Sequence, residues 1–488
     1  MKHRKSICIM LLVSMLLGMV GCGTDSAEET AVPAEQTQPA GEAETAETGY
    51  PAPDFSGLDF NGENLSVITP NWHFYHYYSA EELTGESVND AVYNRTVNTE
   101  NALNVDVTVN QDYSDGETHV VVGQSIMAGD DAWHIVYTHS LFGVNTYVIE
   151  DQLYNMEALP YVDFAAPWWD KKSIDYFKIG DEVYYGRGDL VLTTTEVTLF
   201  NKDIAEDYRL PNHYEMVRQG KWTYGTFLSE VNMVSEDLNG DGKITNEDKV
   251  GFTAELTERL CGLPFAFGIH LTEATENGLE FTFWTEKYID LYSKTLALIN
   301  DSAHSQAYFR GATPENKQLK FASGNALFTF VDGAEIVGLR DAEMDFGVLP
   351  MPKYDEEQEG YYCYAWPTFV CVPTTIQNDE KVGAGLECFA YESQPVMKAY
   401  MMDLLRGKAA RDEESVEMFD LIYDSQVIDI AASYLGFSPN TNKFFYMWSN
   451  NISGKKDSIA SEYEKYKQAA EAELADLYET IINNQANH

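Results

Sequence analysis

Positive charge is scarce in this chain: 32 Lys and Arg stand against 78 Asp and Glu in 488 residues, a formal net charge of −46. That balance excludes nucleic acid as a partner, because neutralising phosphates takes clustered basic side chains. It excludes a polybasic membrane contact for the same reason. Cysteine is nearly as sparse, with six residues and no metal-ligand spacing among them. Cys261, Cys363, Cys371 and Cys388 are too few for a disulfide framework in a body of this size and read as buried thiols, a Cys363–Cys371 bridge being the alternative. Catalytic signatures are missing: there is no GxSxG, no P-loop and no GxGxxG after a strand. His73, His76 and His139 lack zinc spacing. One long hydrophobic run occurs, Ile7 to Val20, and at about 14 residues it is too short to span a bilayer.

That run has another use. Lys2, Arg4 and Lys5 precede it, and Met19-Val20-Gly21-Cys22 ends it, a pattern of signal-peptide type. The four residues resemble a bacterial lipobox. Residues 1–21 are therefore expected to be cleaved, leaving Cys22 diacylated with palmitate-type chains. Two chains suffice for stable attachment to the extracytoplasmic face of the cell membrane, where one is marginal. Residues 22–53 are rich in Ala, Glu, Thr and Pro and cannot bury enough surface to fold; they read as an acidic tether.

The rest exceeds the usual size of one hydrophobic core and predicts two α/β lobes. Glu63 to Thr69, Val105 to Val109 and Trp133 to Tyr137 read as strands, with a helix over Asp90 to Leu103 between the first two. Tyr184 to Phe200 reads as extended. Thr223 is placed to cap a helix running to Met233. Further strands are expected at Val250 to Thr253, within Lys320 to Phe330, at Phe346 to Pro352 and within Tyr361 to Pro373. Helices are expected over Ile289 to Ile299, Glu380 to Met402, Val416 to Asp424 and Ser458 to Ile482.

Asp237 to Asp248 (DLNGDGKITNED) has the spacing of a calcium loop. Asp237, Asn239 and Asp241 stand at positions 1, 3 and 5, Lys243 offers its carbonyl at 7, and Asp248 stands at 12. Calcium takes about six to eight oxygens, and alternate residues of a tight turn can aim several inward. Gly242 gives the turn its backbone freedom. Asp at position 12 is shorter than the usual Glu. With no second copy in the chain, the loop reads as a structural staple and not a sensor, its Ca²⁺ a structural ion.

The lipobox, acidic tether, GKWT (220–223), DLNGDGKITNEDKVGF, FASGNALF and FGVLPMPKYDEEQEGYY, in that order, resemble the family 1 extracellular solute-binding proteins. These are the binding lipoproteins of carbohydrate ABC importers, and the likeness covers roughly Leu65 to Tyr400. The resemblance implies a two-lobed type II periplasmic-binding-protein fold with a hinge and an interlobe cleft. It places lobe 1 at 55–195 and 346–405, and lobe 2, with the calcium loop, at 196–345 and 406–488. The chain would cross near Thr193 to Leu199, return near Phe346 to Pro350, and cross again near Arg406. Partners implied are a carbohydrate ligand and the permease subunits; a monomer is expected.

A sugar offers hydroxyls at its rim and C–H patches on its faces, so its site needs flat aromatics and polar side chains on cleft loops. Under the resemblance, Trp72, Tyr75, His139, Ser140, Thr194, Glu196, Trp284, Asp332 and Trp366 are the candidate ligand-binding residues. Trp168, Trp169 and Trp448 read as packing. The expected function is capture of a carbohydrate, an oligosaccharide, for delivery to an importer, without catalysis. A secreted calcium-stabilised glycosidase is the alternative, and a surface adhesion or sensor protein a third reading.

Overall fold

The computed structural model describes residues 50–71, 78–140, 142–245, 247–275, 278–309, 319–339, 342–366, 368–402, 412–434 and 438–487. The leader, Cys22, the tether up to residue 49, Trp72, Tyr75 and the crossing near Arg406 lie outside them.

In chain order the strands are β1 (Glu63–Ile68), β2 (Val105–Asn110), β3 (Ile135–His139), β4 (Thr194–Asn201), β5 (Ser235–Glu236), β6 (Lys249–Ala254), β7 (Thr272–Thr275), β8 (Gly278–Phe281), β9 (Ala326–Asp332), β10 (Phe346–Leu349), β11 (Cys363–Trp366), β12 (Thr368–Cys371) and β13 (Gln426–Val427). A four-stranded sheet has the order β12-β3-β1-β2. Its β1 pairs in parallel with β2 and β3, while β12 runs antiparallel to β3. The larger sheet has the order β13-β11-β4-β9-β6-β5, with β10 also on β4. β7 and β8 form a separate hairpin.

Parallel strands need crossover helices, and the sequence supplies them. Between β1 and β2 lies the helix Ser87–Leu103, whose Val92, Arg95, Thr99 and Leu103 recur at helical spacing and are buried. It stops at Asn104, which takes the left-handed conformation (φ 50°) that Asn tolerates. The helix Asp115–Ala128 leads into β3 and starts on a capping box of Ser114 and Glu117.

The hub of the larger sheet is β4, TTEVTLFN, in which every residue is buried. Its β-branched residues suit a strand packed on both faces. β9 lies along one edge; β10 and β11 share the rest of its pairing. Two stretches of the family likeness meet beside it: Trp222 of GKWT is fully buried, and its Nε1 donates to the Pro350 carbonyl at 2.9 Å. Thr223 caps the helix Tyr224–Val231, accepting from the Thr226 amide at 3.2 Å.

The strand expected within Lys320 to Phe330 is β9; a short helix, Leu319–Ala322, precedes it, and the chain turns at Gly324 (φ 79°). Two local expectations change. Glu380 to Met402 breaks into the helices Asp379–Tyr391 and Gln394–Ala399, because Pro395 cannot continue the first. The loop at Asp237 does not join a helix directly to a strand, since it closes a small hairpin of β5 and β6.

All four described cysteines are free and buried, with Cys363 on β11 and Cys371 on β12 in different sheets. The C-terminal helix Ala460–Gln485 buries Tyr463, Ala470, Leu474, Leu477 and Ile481 along one face. Its last three join a core cluster with Ile68, Val136 and Phe369 of the smaller sheet. No described helix is long and apolar enough to cross a membrane.

Candidate functional site

The two sheets approach each other where one strand ends and the next begins. Trp366, the last residue of β11, pairs with Thr194 at the start of β4. Thr368, the first of β12, pairs with His139 at the end of β3. The chain thus leaves the larger sheet and enters the smaller one within two residues, drawing His139, Trp366 and Thr194 to the same junction. Further along β4, Glu196 pairs with Asp332 of β9.

Glu196 sets the chemistry of the junction. It is 1% exposed, and its Oε1 accepts from Arg259 Nη1 at 3.3 Å. Arg259, on the helix Leu256–Ala266, is buried too, with Glu258 Oε2 3.6 Å from its Nη2. That helix comes this close because residue 262 is glycine; a Cβ there would collide with the Glu196 carboxylate. Burial pushes the Glu196 carboxyl up to about 8, against Arg259, which holds it down. A carboxyl that burial favours in its protonated form can donate to a hydroxyl group as well as accept from one.

Aromatic rings border this carboxyl. Trp366 is half-buried and meets Tyr364 at 5.4 Å and Phe445 at 5.7 Å, both edge-on. Tyr364 stacks on Phe265 at 4.6 Å, the latter on the helix that carries Arg259. On the smaller-sheet side His139 is buried with its ring 6.1 Å from that of Phe142. Ser140 is buried, and its Oγ meets no hydrogen-bond partner among the described residues.

Of the nine residues expected to touch ligand, six therefore gather by strand register and chain adjacency: His139, Ser140, Thr194, Glu196, Asp332 and Trp366. Trp284 is not among them; it lies flat on Tyr463 of the C-terminal helix, with centroids 3.9 Å apart and planes within 1°. Trp72 and Tyr75 fall outside the described residues. Arg259 and Gly262 were missed. The signal for Arg259 was available: it is the lone cation in the otherwise largely apolar LTERLCGLPFA. Gly262 carried none, because its role depends on a strand some sixty residues away in sequence, Glu196 and Arg259 being 63 apart.

Trp168 and Trp169 are buried, and both indole N–H groups donate to Glu387, at 3.0 and 2.9 Å. Trp448 is buried against Tyr288 at 5.3 Å.

The loop Asp237 to Asp248 holds itself in shape. Asp237 accepts from the Gly240 and Gly242 amides, each at 2.7 Å, and Asn239 Oδ1 accepts from the Asp241 amide at 2.9 Å. Asp241 turns to the Lys243 amide, also at 2.9 Å. Asp248 is fully buried, accepting from Leu238 at 2.9 Å and Thr245 at 2.8 Å. Gly242 takes φ 80°, as the turn requires. The donors are the hard oxygens that calcium prefers, yet each carboxylate is engaged by loop amides. Among the described residues no three acidic, His or Cys side chains converge on one point.

No protein-family model matches the chain, and no curated protein matches it. Solved structures do. The GacH receptor of Streptomyces glaucescens, solved unliganded and in complex with acarbose, superposes with a TM-score of 0.53 at 12% identity, over 87% of this chain and 98% of that one. An ABC transporter solute-binding protein from Thermotoga lettingae, bound with α-D-tagatose, gives 0.52 at 12% identity, over 86% and 100%. UgpB from Mycobacterium tuberculosis, in complex with glycerophosphocholine, gives 0.51 at 13% identity, over 87% and 97%. At such identities the likeness speaks to fold. The chain has the two-lobed α/β type II periplasmic-binding-protein fold, shared with the solute-binding proteins of ABC transporters.

Proposed function

We propose that this protein is an extracytoplasmic receptor of the family 1 type, which captures a carbohydrate in the cleft between its lobes and delivers it to an ABC importer. The observation that carries this reading is Glu196: a buried carboxyl on the strand beside the junction of the two sheets, with Trp366 and Asp332 on the strands next to it. A carboxyl flanked by a flat ring and a second carboxylate is the equipment a sugar needs. His139, Ser140 and Thr194 would complete the polar set, and Trp72, Tyr75 and Trp284 are its remaining candidates. The fold neighbours bound to acarbose and tagatose support a sugar as the ligand class. An oligosaccharide is the finer reading.

The lobes would be 55–195 with 346–405 and 196–345 with 406–488. Attachment would be through acylated Cys22 after loss of residues 1–21, with the monomer hanging on its tether. Calcium in the Asp237–Asp248 loop rests on the oxygen spacing of the sequence. Binding without turnover separates this receptor from a glycosidase. A thermal-shift and calorimetric screen against mono- and oligosaccharides tests it: one sugar class should raise the melting temperature, bind one to one at the cleft and be recovered unchanged. Glu196→Gln should weaken that uptake. Sugar cleaved during the titration, or no sugar bound, overturns the proposal.

A further inference from the structure

The helix Lys171–Phe177 sits on the smaller sheet, yet its last two side chains reach residues carried by the larger one. Phe177 shares a core cluster with Ile68, Val136 and Phe369 of the smaller sheet. Its ring lies between two near-parallel rings, Phe369 at 4.5 Å and Tyr434, beyond β13, at 4.3 Å. Tyr176 reaches further. Its hydroxyl oxygen stands 3.0 Å from the Thr272 carbonyl at the start of β7, 3.2 Å from His270 Nδ1 and 3.5 Å from Asp429 Oδ2.

These three partners are bound to one another independently of Tyr176. Asp429 follows β13, which pairs with β11 of the larger sheet, and it is fully buried. Its carboxylate accepts from the Leu271 and Thr272 amides at 2.8 and 3.2 Å, and from the Ala432 amide at 3.0 Å. Residues 270–272 are thereby fixed to the segment behind β13. In this group Tyr176 is the member that comes from the smaller-sheet side.

Proton bookkeeping gives the contact a direction. A phenol has one proton to donate, and the Thr272 carbonyl can only accept. Burial, helped by the charge of Asp429, keeps the Tyr176 phenol protonated. Tyr176 therefore donates to Thr272, and its oxygen accepts from His270 with the ring proton on Nδ1. The His270 side chain is 27% exposed, which gives water a way in when the hydroxyl withdraws. Exchanging one hydrogen bond for another has a small net cost, so the contact is reversible.

A row of rings joins this contact to the cleft. His270 meets Tyr176 at 5.3 Å and Phe265 at 6.3 Å, and Phe265 stacks on Tyr364, the neighbour of Trp366. We propose that the Tyr176 hydroxyl is a latch between the two sheets: it holds the closed arrangement and must leave Thr272 before the cleft opens, with the Phe177 ring stack as the pivot. This rests on the receptor reading only for the purpose of opening. The fraction of molecules ready to admit a ligand is then set by this one bond.

Pulsed-EPR distances in the full chain, spin-labelled through Met127→Cys and Met233→Cys, test this without any sugar. Both positions are exposed; the first ends the helix Asp115–Ala128 that leads into β3, and the second follows the helix Tyr224–Val231 that leads to β5. Tyr176→Phe should raise the ratio of molecules at a longer distance to those at the shorter one about fivefold, the net worth of one hydrogen bond. Tyr292→Phe is the control: its hydroxyl donates to the Lys456 carbonyl at 2.6 Å, away from the latch, and its loss should leave the ratio within about twofold. A distance distribution unmoved by Tyr176→Phe overturns the proposal. An equal rise with Tyr292→Phe is general loosening and overturns it too. If Tyr176→Phe does not melt cooperatively, His270→Leu, which removes the donor to the same hydroxyl, should raise the ratio about twofold or more, and no rise overturns the latch. Because no sugar enters the measurement, a failed sugar screen leaves this result standing, and an absent latch leaves the sugar reading untouched.

Discussion

Glu196 and Asp332 stand directly opposite each other across β4 and β9, and two carboxylates on facing strands repel unless something intervenes. Arg259 intervenes: it contacts Glu196 and feels both acids, which hold its guanidinium firmly protonated although burial works the other way. Removing the cation while leaving the acids should therefore be worse than removing one acid. Arg259→Met is expected to cost about 3 kcal/mol of unfolding free energy and Glu196→Gln clearly less, measured by urea denaturation. Equal costs would show that the pair is not coupled.

Gly262 offers a test of the same contact from the other side. Gly262→Ala places a methyl group where the Glu196 carboxylate now sits. Overpacking of this kind costs about 1–3 kcal/mol. Ligand affinity should fall with it, because the carboxylate must move; an unchanged melting temperature and affinity would mean that the helix simply shifts.

The pH dependence follows from the raised carboxyls. Glu196 rises from 4.5 to about 8 and Glu387 from 4.5 to about 7, in both cases because burial disfavours the charge. A carboxyl with a higher pKa in the folded state binds protons more tightly there than when unfolded. Its contribution is full below pH 4.5 and is lost as pH rises towards 7 and 8. Stability should thus decline from pH 5 to 8, and Glu196→Gln should flatten the slope, as followed by melting temperature across that range. A profile rising with pH in both chains would contradict this.

The acidic loop makes two separable predictions. Asp248→Ala leaves the Leu238 and Thr245 amides without an acceptor and should cost about 1–3 kcal/mol with or without added metal. If the loop binds calcium, a chelator should lower the melting temperature of the unaltered chain, and Asp237→Ala with Asp241→Ala should erase that response. An unaltered chain indifferent to chelator would remove calcium from the account while leaving the Asp248 result standing.

The thiols should be silent. Burial pushes Cys363 up to about 11 and Cys388 up to about 12. A thiol reagent should find none of the four until the chain unfolds, and reductant should leave the melting temperature unchanged.

Strands and most helices were legible because their signals are local. Thr223 caps where a hydroxyl before a helix should, and β4 shows its burial in a run of β-branched residues. The broken helix at Pro395 was legible in principle, as proline breaks helices from any context. Glu196 and Trp366 could be nominated because the likeness placed them where the chain crosses. Trp284 could not be judged in the same way: its partner, Tyr463, lies far along the chain, and sequence does not say which aromatic will lie flat against which. Arg259 was hidden for a related reason, since a charge in an apolar helix announces a partner without naming it.

The C-terminal helix has a mechanical consequence. Its 26 residues make a rod about 39 Å long at 1.5 Å per residue. Near one end Tyr463 is pressed flat on Trp284. At the other, Asn484 Nδ2 donates to the Val148 carbonyl at 3.2 Å, beyond β3, and Gln485 Nε2 to that of Ile179 at 2.8 Å. A stiff rod held at both ends fixes the span between its attachments. Any widening between Trp284 and the Val144–Ile149 helix must first release one end, and the C-terminal end is held both by two side-chain amides and by Leu477 and Ile481 in the core. The helix acts as a strut, and its last turn is the catch.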